Sequence, residues 1–356
     1  MMRRIAVVVL GCAALLACTG VARAQNGDLP AGAPAAGPTS IVQLGDSVAA
    51  GEGTLYGYTY DRGDRRWTGG DLDVTWPGPY PGCHTSPDAF GNHVAAAVGG
   101  RFTQFACTGA QFDNGIATPE VDEGVTLRPP QFGDWATQTG LNAEYDTAAP
   151  DLVLVTFGAD DVHFVKIVTA CVENALEHRF LRFVDLECTR ANHGDSVKTD
   201  FYDNLPALRD HYRAIVQWIA ARAAARGVAA PKVVFTTYPD PLPPGGAQCP
   251  DSSWLRPSQL RYLSTLVGKL NHEIRTTVEG MHEPNVVVAA SDRAYTRQGA
   301  NHRWCSKDPW AYGLSVFHLF EPDTLHSQAP FHPTPRGQQA IAAMVEPTVK
   351  QLFATS

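Results

Sequence analysis

Five short apolar runs alternate with segments of helical periodicity, and this alternation limits the possible folds more than any other feature of the chain. The runs are rich in Val, Ile, Leu or Phe, as strands buried on both faces of a sheet are. They lie at 41–44, 102–106, 152–157, 233–236 and 286–289. Strands that alternate with helices predict a parallel sheet between two layers of helices. We therefore expect one α/β domain around a central parallel five-stranded sheet.

Three helices can be placed from their capping residues. Asp203 is expected to cap a helix that ends at Gly227, and Pro257 to open a second one. Thr334 and Pro335 are expected to cap and begin the last helix. Between the predicted elements, long irregular stretches are expected at 54–82, 171–200 and 291–331.

The amino terminus has the pattern of a secretory signal. Arg3 and Arg4 precede an apolar run, and Ala22-Arg23-Ala24 provides a small-x-small cleavage site. The sequence thus predicts a signal peptide at 1–24, a flexible leader rich in Ala, Pro and Gly at 25–39, and a folded domain at 40–356.

An alternative for the amino terminus is lipid anchoring. Leu15-Leu16-Ala17-Cys18 resembles a bacterial lipoprotein box, which would leave Cys18 as a lipid-modified terminus. We expect free secretion, because the downstream cleavage site is good. Stable membrane insertion is not expected, since Gly11, Cys12 and Thr19 interrupt the apolar run.

Six cysteines remain after the predicted signal. An even number in an exported chain indicates three disulfides, for which fifteen connectivities are possible. Their order along the chain favours sequential pairing, and no Cys-x-x-Cys or His-x-x-x-His pair supports zinc as the alternative. The expected pairs are Cys83 with Cys107, Cys171 with Cys188, and Cys249 with Cys305.

The charge excludes one class of partner. The net charge is −8, and removal of the signal would make it more negative, because the signal carries three arginines and no acidic residue. An acidic chain without a basic stripe is a poor binder of nucleic acid. We therefore expect no nucleic-acid partner.

Polar, glycine-containing segments follow the first three predicted strands. Ser47 follows the first, Gly109 the second, and residues 158–161 the third. Ligands of open parallel sheets lie beyond the carboxyl ends of the strands, so these segments should meet. A serine becomes a nucleophile only beside a base, and His332 lies directly before the last predicted helix. A serine at such a position, taken alone, is more often a helix-capping hydroxyl than a nucleophile.

The ordered segments resemble the four sequence blocks of the SGNH (GDSL-type) hydrolase superfamily. The blocks are Gly45-Asp46-Ser47-Val48, Gly109, Gly158-x-Asp160-Asp161 and His332-Pro333-x-x-x-Gly337. The six-cysteine pattern is similar to that of the secreted bacterial lipase and esterase branch. The resemblance spans about residues 40–353 and implies a flavodoxin-like three-layer α/β/α sandwich with long, disulfide-pinned loops.

The resemblance also implies a mechanism. Ser47 would attack the carbonyl of a carboxylic ester, and His332 would act as general base. The main-chain N–H groups of Ser47 and Gly109 and the side chain of residue 160 would hold the oxyanion. The reaction passes through a covalent acyl-enzyme and needs no metal or organic cofactor.

Position 160 departs from the family pattern. The family usually has Asn where this chain has Asp160, and an ionised carboxylate cannot donate a hydrogen bond to an oxyanion. Asp160 serves in the oxyanion hole only if burial or the neighbouring Asp161 keeps it protonated. Otherwise it lies outside the hole.

The residue that orients the histidine also departs from the pattern. The family often has Asp three residues before the histidine, where this chain has Ala329. We expect the backbone carbonyl of Ala329 or Gln328 to take that role. Asp323 and His326 have the Asp-x-x-His spacing, but His326 lacks the following Pro and Gly that open the last helix.

Other residues near these blocks are expected to support them. Asp46 should bind backbone N–H groups of the turn, and Asp161 should brace its own loop. Aromatic side chains of the long loops either line a substrate pocket or pack against one another. They are Tyr56, Tyr58, Trp76, Trp304 and Trp310.

These observations and the resemblance together predict a secreted, monomeric serine esterase or lipase that acts on a small-molecule or lipid ester. Two alternatives remain open. One is a glycan O-deacetylase of the same fold. The other is a catalytically impaired protein that binds lipid or carbohydrate, which the carboxylate at Asp160 would favour.

Overall fold

The computed structural model describes residues 37–122, 124–133, 140–141, 144, 149–177, 188, 197–317 and 329–354. The predicted signal at 1–24 and most of the leader at 25–39 lie outside the described residues, and so do Gln328, Asp323 and His326.

The strands of the described residues form one parallel sheet and two hairpins. In chain order they are β1 (Ser40–Gly45), β2 (Thr59–Asp61), β3 (Arg66–Thr68), β4 (Arg101–Gln104), β5 (Glu120–Asp122), β6 (Val125–Arg128), β7 (Leu152–Thr156), β8 (Lys232–Thr236) and β9 (Val286–Ala289). The sheet has the order β4-β1-β7-β8-β9, and every neighbouring pair is parallel. This is the flavodoxin-like order, so the predicted sheet is confirmed.

Helices cover both faces of the sheet. They are α1 (Ser47–Ala50), α2 (Phe90–Val98), α3 (Phe164–Glu177), α4 (Val197–Asn204), α5 (Leu208–Arg226), α6 (Pro257–Gly280) and α7 (Pro335–Ala354). Helices α1, α2 and α7 pack in one core cluster, and α3 to α6 pack in the other. The three-layer α/β/α arrangement is therefore confirmed.

Alternation along β1 explains how the central strand joins the two cores. Ile41 belongs to the core under α2 and α7, whereas Val42 and Leu44 belong to the core on the opposite face. Successive side chains of a strand point to opposite faces, and all three residues are fully buried. Each buried side chain of this size contributes about 1.5–3 kcal/mol, so the strand is fixed in the middle of the sheet.

The predicted start of the helix at Asp203 is wrong. Asp203 lies inside α4, and a 3₁₀ turn (Leu205–Ala207) separates α4 from α5. Pro206 lacks the N–H that a continuous helix would need, so the apolar pattern divides there. The predicted end at Gly227 is confirmed, with φ of 65° and an N–H that donates to the carbonyls of Ala223 and Ala224.

The other two helix starts are confirmed. Helix α6 begins at Pro257 and α7 at Pro335. Thr334 caps α7, because its Oγ1 accepts the N–H of Gly337 at 3.2 Å.

The stretch 171–200, which we expected to be irregular, contains the end of α3 and the start of α4. The stretch 54–82 contains the antiparallel pair β2–β3.

Three disulfides pin the loops, in the pairs Cys83–Cys107, Cys171–Cys188 and Cys249–Cys305. These are the pairs that their order along the chain favoured. The first joins the segment before α2 to the segment after β4, and the third joins the loops that follow β8 and β9. None of the helices in the described ranges combines the length and apolar character that crossing a membrane requires.

Candidate active site

The strand-to-helix turn at the end of β1 places Ser47 at the carboxyl edge of the sheet. Gly45 has φ of 145°, and a Cβ there would lie 2.0 Å from the carbonyl oxygen of Thr156. Only glycine therefore allows β1 to approach β7 so closely at this point. The buried Gln131 side chain holds Gly45 twice, since Nε2 donates to its carbonyl and Oε1 accepts its N–H, both at 2.8 Å.

Asp46 caps this turn and connects it to the loop after β7. One carboxyl oxygen accepts the N–H of Val48 at 3.1 Å, and the other accepts the hydroxyl of Tyr238. The Tyr238 oxygen in turn accepts the N–H of Ala159 at 3.2 Å. Asp46 is fully buried, and this burial, with a smaller repulsion from Asp161, raises its pKa to about 7 despite the two donors. Asp46 thus contacts both the turn and Tyr238, and its supporting role in catalysis stays a prediction.

His332 is brought to the same edge by a short segment that precedes α7. Its N–H donates to the carbonyl of Ala329 at 2.9 Å, and its carbonyl accepts the N–H of Tyr312 at 3.0 Å. Phe331 donates its N–H to the Tyr312 carbonyl at 3.1 Å. This clamp places Nε2 of His332 2.6 Å from Oγ of Ser47, across a separation of 285 residues. The hydroxyl and the imidazole are thus within hydrogen-bond distance.

Two backbone donors of the predicted oxyanion hole are not engaged by other groups. In the described part of the chain, neither the N–H of Ser47 nor that of Gly109 donates a hydrogen bond. Gly109 has φ of 81° and follows Cys107, which the first disulfide fixes. A main-chain N–H without a partner at the carboxyl edge of a sheet is available for a ligand oxygen.

Asp160 carries the third predicted donor, and its surroundings favour the protonated form. Burial raises its pKa well above the usual value, and the nearby carboxyls of Asp46, Asp161 and Glu120 raise it further. Asp46 accepts two hydrogen bonds, whereas the Asp160 carboxyl accepts none from the described residues. Burial and these neighbouring carboxyls favour the protonated form of the Asp160 carboxyl. A protonated carboxyl can donate a hydrogen bond.

Asp161 braces the loop after β7 against the segment after β4. Its Oδ1 accepts the N–H of Phe112 at 3.1 Å and lies 3.2 Å from Nδ1 of His211. The His211 ring stacks on Phe112 with centroids 4.4 Å apart. Gln111 adds a bond from Nε2 to the carbonyl of Asp160 at 2.9 Å. The two segments that carry Gly109 and Asp160 are thereby fixed to each other.

The loop aromatics mostly pack against one another. Five of them form one cluster in which no member is more than 9% exposed: Tyr56, Tyr58, Trp67, Trp76 and Tyr312. Trp304 is fully buried and donates Nε1 to Asp251 at 2.8 Å. Of the two interpretations of these loops, the structure favours packing over an open pocket wall.

Several residues of the site were not predicted from the sequence. Gln131 and Tyr238 bind the turn that carries the predicted nucleophile, Ser47. Gln338 links α1 to α2, because its side chain accepts the N–H of Phe90 and donates to the carbonyl of Val48, both at 3.0 Å. Glu52 is fully buried beside the same turn. No local motif marks such residues, because their partners are distant in sequence.

One cluster of metal-ligand types occurs among the residues that the structure describes. It contains Cys83, Cys107 and Glu120. Because the two sulfurs are bonded to each other, they offer no thiolate. The Glu120 carboxyl alone does not make a metal site, and we infer none there.

Comparison with known proteins gives structural likenesses only. No family model matches the sequence, and no curated protein matches it. An extracellular lipase from Streptomyces rimosus is 17% identical with a TM-score of 0.48, over 88% of this chain and 99% of that one. Phospholipase A1 from Streptomyces albidoflavus NA297 is 18% identical with a TM-score of 0.46, over the same shares.

A family two carbohydrate esterase from Cellvibrio japonicus is 14% identical with a TM-score of 0.43, over 89% of this chain and 62% of that one. Identities and TM-scores of this size do not identify a substrate. The chemistry of the site must therefore be judged from its own side chains.

Proposed function

We propose that the protein is a serine hydrolase that cleaves carboxylic esters through an acyl-enzyme on Ser47. The observation that carries the proposal is the 2.6 Å contact between Oγ of Ser47 and Nε2 of His332. An imidazole that accepts at Nε2 can remove the hydroxyl proton as the oxygen attacks a carbonyl.

The reaction then follows in two steps. Ser47 Oγ bonds to the ester carbonyl carbon, and the proton moves to His332, which passes it to the leaving alcohol as the C–O bond breaks. Water, deprotonated by His332, attacks the acyl-enzyme and releases the carboxylic acid and free Ser47. The N–H groups of Ser47 and Gly109 stabilise the oxyanion of each tetrahedral intermediate.

Asp160 completes the oxyanion hole in its protonated form. The three carboxyls around it and its burial support that form. A neutral carboxyl group can then donate where the family pattern has an amide. This argues for an active enzyme over a protein that only binds lipid or carbohydrate.

Export of the enzyme as a monomer is part of the proposal. Three disulfides support an oxidising compartment, in which such bonds form and persist. The signal at 1–24 and the leader at 25–39 remain predictions from the sequence, as does anchoring through Cys18 as the alternative.

A panel of esters tests the reaction and its substrate class. Nitrophenyl esters from acetyl to long-chain acyl groups are assayed beside a phospholipid and an acetylated glycan, with Ser47→Ala as the blank. Turnover that depends on Ser47 supports the proposal, and turnover that survives in folded Ser47→Ala would place the nucleophile elsewhere. Hydrolysis of acetyl esters with refusal of longer chains would indicate the glycan O-deacetylase.

A further inference from the structure

Glu52 is an acidic residue built into the nucleophile turn. Its N–H donates to the carbonyl of Ser47 at 3.0 Å, so the main chain ties it to the serine five residues earlier. Its side chain is fully buried. A buried carboxyl so close to the serine calls for a physical explanation, because burial of a charge without partners is costly.

Three donors keep this carboxyl ionised. Nδ1 of His84 donates at 2.7 Å, the hydroxyl of Tyr56 at 3.0 Å and the N–H of Gly53 at 3.1 Å. Burial raises the pKa of Glu52, but the bonds from His84 and Tyr56 and the attraction of His84 and His332 outweigh it, so the pKa is lowered. Glu52 is thus a buried carboxylate, and its attraction to His332 is one of the causes that lower its pKa.

The segment that carries Glu52 packs against the segment that holds His332. A Cβ added at Gly53 would lie 3.0 Å from the ring of Tyr312 and 3.3 Å from Cβ of Ala329. These two residues make the main-chain bonds that clamp His332. Ala329 also occupies the position where the motif pattern has the acid that supports the histidine.

We propose that Glu52 is a positioning residue whose buried negative charge stabilises the imidazolium formed on His332 during acyl transfer. This rests on the proposed function. Glu52 lies on the nucleophile turn, and its carboxylate supplies the negative charge that the acid of a catalytic triad supplies. The main-chain bonds to Ala329 and Tyr312 hold the segment that carries the histidine. The titratable groups that contact Glu52 are His84 and Tyr56, and the attraction of His332 also lowers the pKa of Glu52.

The test removes the charge and keeps the shape. Glu52→Gln should lower kcat about tenfold, the factor that corresponds to a change of one unit in the pKa of His332. Because the same charge favours protonated His332, the acidic limb of the kcat/KM profile should move about one pH unit lower. Tyr56→Phe is the matched control, since it removes one donor to Glu52 but keeps the charge, and its acidic limb should stay in place.

A purely structural role would lower stability without moving that limb. An acidic limb that coincides with wild type in folded Glu52→Gln would therefore overturn the proposal. The titration of the His332 imidazole, followed by nitrogen NMR in the absence of substrate, separates the two claims. If wild type hydrolyses no ester but the His332 midpoint still falls in Glu52→Gln, the proposed function fails and the electrostatic coupling stands.

The same measurement decides the matter if Glu52→Gln does not fold. In the wild-type protein, a His332 midpoint above the ordinary value of about 6.5 supports the proposal. A midpoint below that value overturns it, because the charge of Glu52 would then not dominate the surroundings of the imidazole.

Discussion

Replacement of Asp160 by asparagine tests the oxyanion hole at the position where this chain departs from the motif pattern. The side chains have the same size, but the amide donates a hydrogen bond at every pH, whereas the carboxyl donates only when protonated. The pKa of Asp160 is raised well above its usual value, chiefly by burial and then by Asp46, Asp161 and Glu120. Wild type and Asp160→Asn should therefore turn over esters at similar rates at neutral pH.

The two proteins should differ as the pH rises through the pKa of Asp160. Ionisation removes one of three donors, the other two being the N–H groups of Ser47 and Gly109, and places a negative charge beside the oxyanion. Loss of one donor alone costs about 2.7–4 kcal/mol, or about 100- to 1,000-fold in kcat. The kcat of wild type should fall by at least this factor at alkaline pH, and that of Asp160→Asn should not.

The assay is kcat for a soluble nitrophenyl ester, measured from mildly acidic to strongly alkaline pH, with circular dichroism at each pH to verify folding. Asp113→Asn makes the same chemical change at an exposed position of the neighbouring segment and should keep the wild-type profile. Asp160→Ala should lose the donor at every pH. Superimposable profiles for wild type and Asp160→Asn would refute the reasoning and place Asp160 outside the hole.

Three further predictions concern stability. Burial, only partly offset by Arg128, raises the pKa of Glu120 from 4.5 to about 8. Between these pH values the folded state keeps Glu120 protonated while the unfolded state ionises it, so the free energy of unfolding falls as the pH rises. Glu120→Gln should therefore gain about 2–4 kcal/mol over wild type between these pH values in urea unfolding, and a constant difference would contradict this. Replacement of Cys249 and Cys305 by Ser opens a loop of 56 residues and should lower the unfolding free energy by about 3–4 kcal/mol, and an unchanged melting temperature would count against the bridge. Gly45→Ala should prevent stable folding, because the added Cβ would overlap the Thr156 carbonyl. The control is Gly268→Ala in α6, where the Cβ would enter open space and should stabilise the protein by about 0.5–1 kcal/mol. Similar melting temperatures for the two variants would contradict this explanation of the turn.

The sheet could be predicted because its central strands are rich in buried apolar residues. β7 is buried at all five positions, and a run of this kind is read directly from the sequence. The hairpin β2–β3 could not be predicted in the same way. Its strands have three residues each, so the alternation of exposed and less exposed positions along them is too short to predict a strand.

The predicted helix start at Asp203 was wrong because a single proline had more effect than the apolar pattern around it. The apolar spacing around α5 extends back past Pro206, and it did not reveal that the proline divides the segment into two helices. Gly227 was predicted correctly, because a glycine with positive φ is a local requirement for ending a helix there.

Some residues of the candidate site could be predicted from local sequence motifs, and others could not. Ser47, Gly109, Asp160 and His332 occupy sequence blocks with recognisable neighbours, and their order along the chain predicted a common edge of the sheet. Glu52 has no such signal. Its partner His84 lies 32 residues away, and only the folded chain brings them together.

The most direct test of the account is covalent labelling of the folded protein with a fluorophosphonate, followed by peptide mapping in the mass spectrometer. The account predicts a single adduct on Ser47 that forms rapidly in wild type and slowly in His332→Ala. An unlabelled Ser47 in correctly folded wild-type protein, or an equal rate of labelling in His332→Ala, would contradict the claim that His332 activates Ser47.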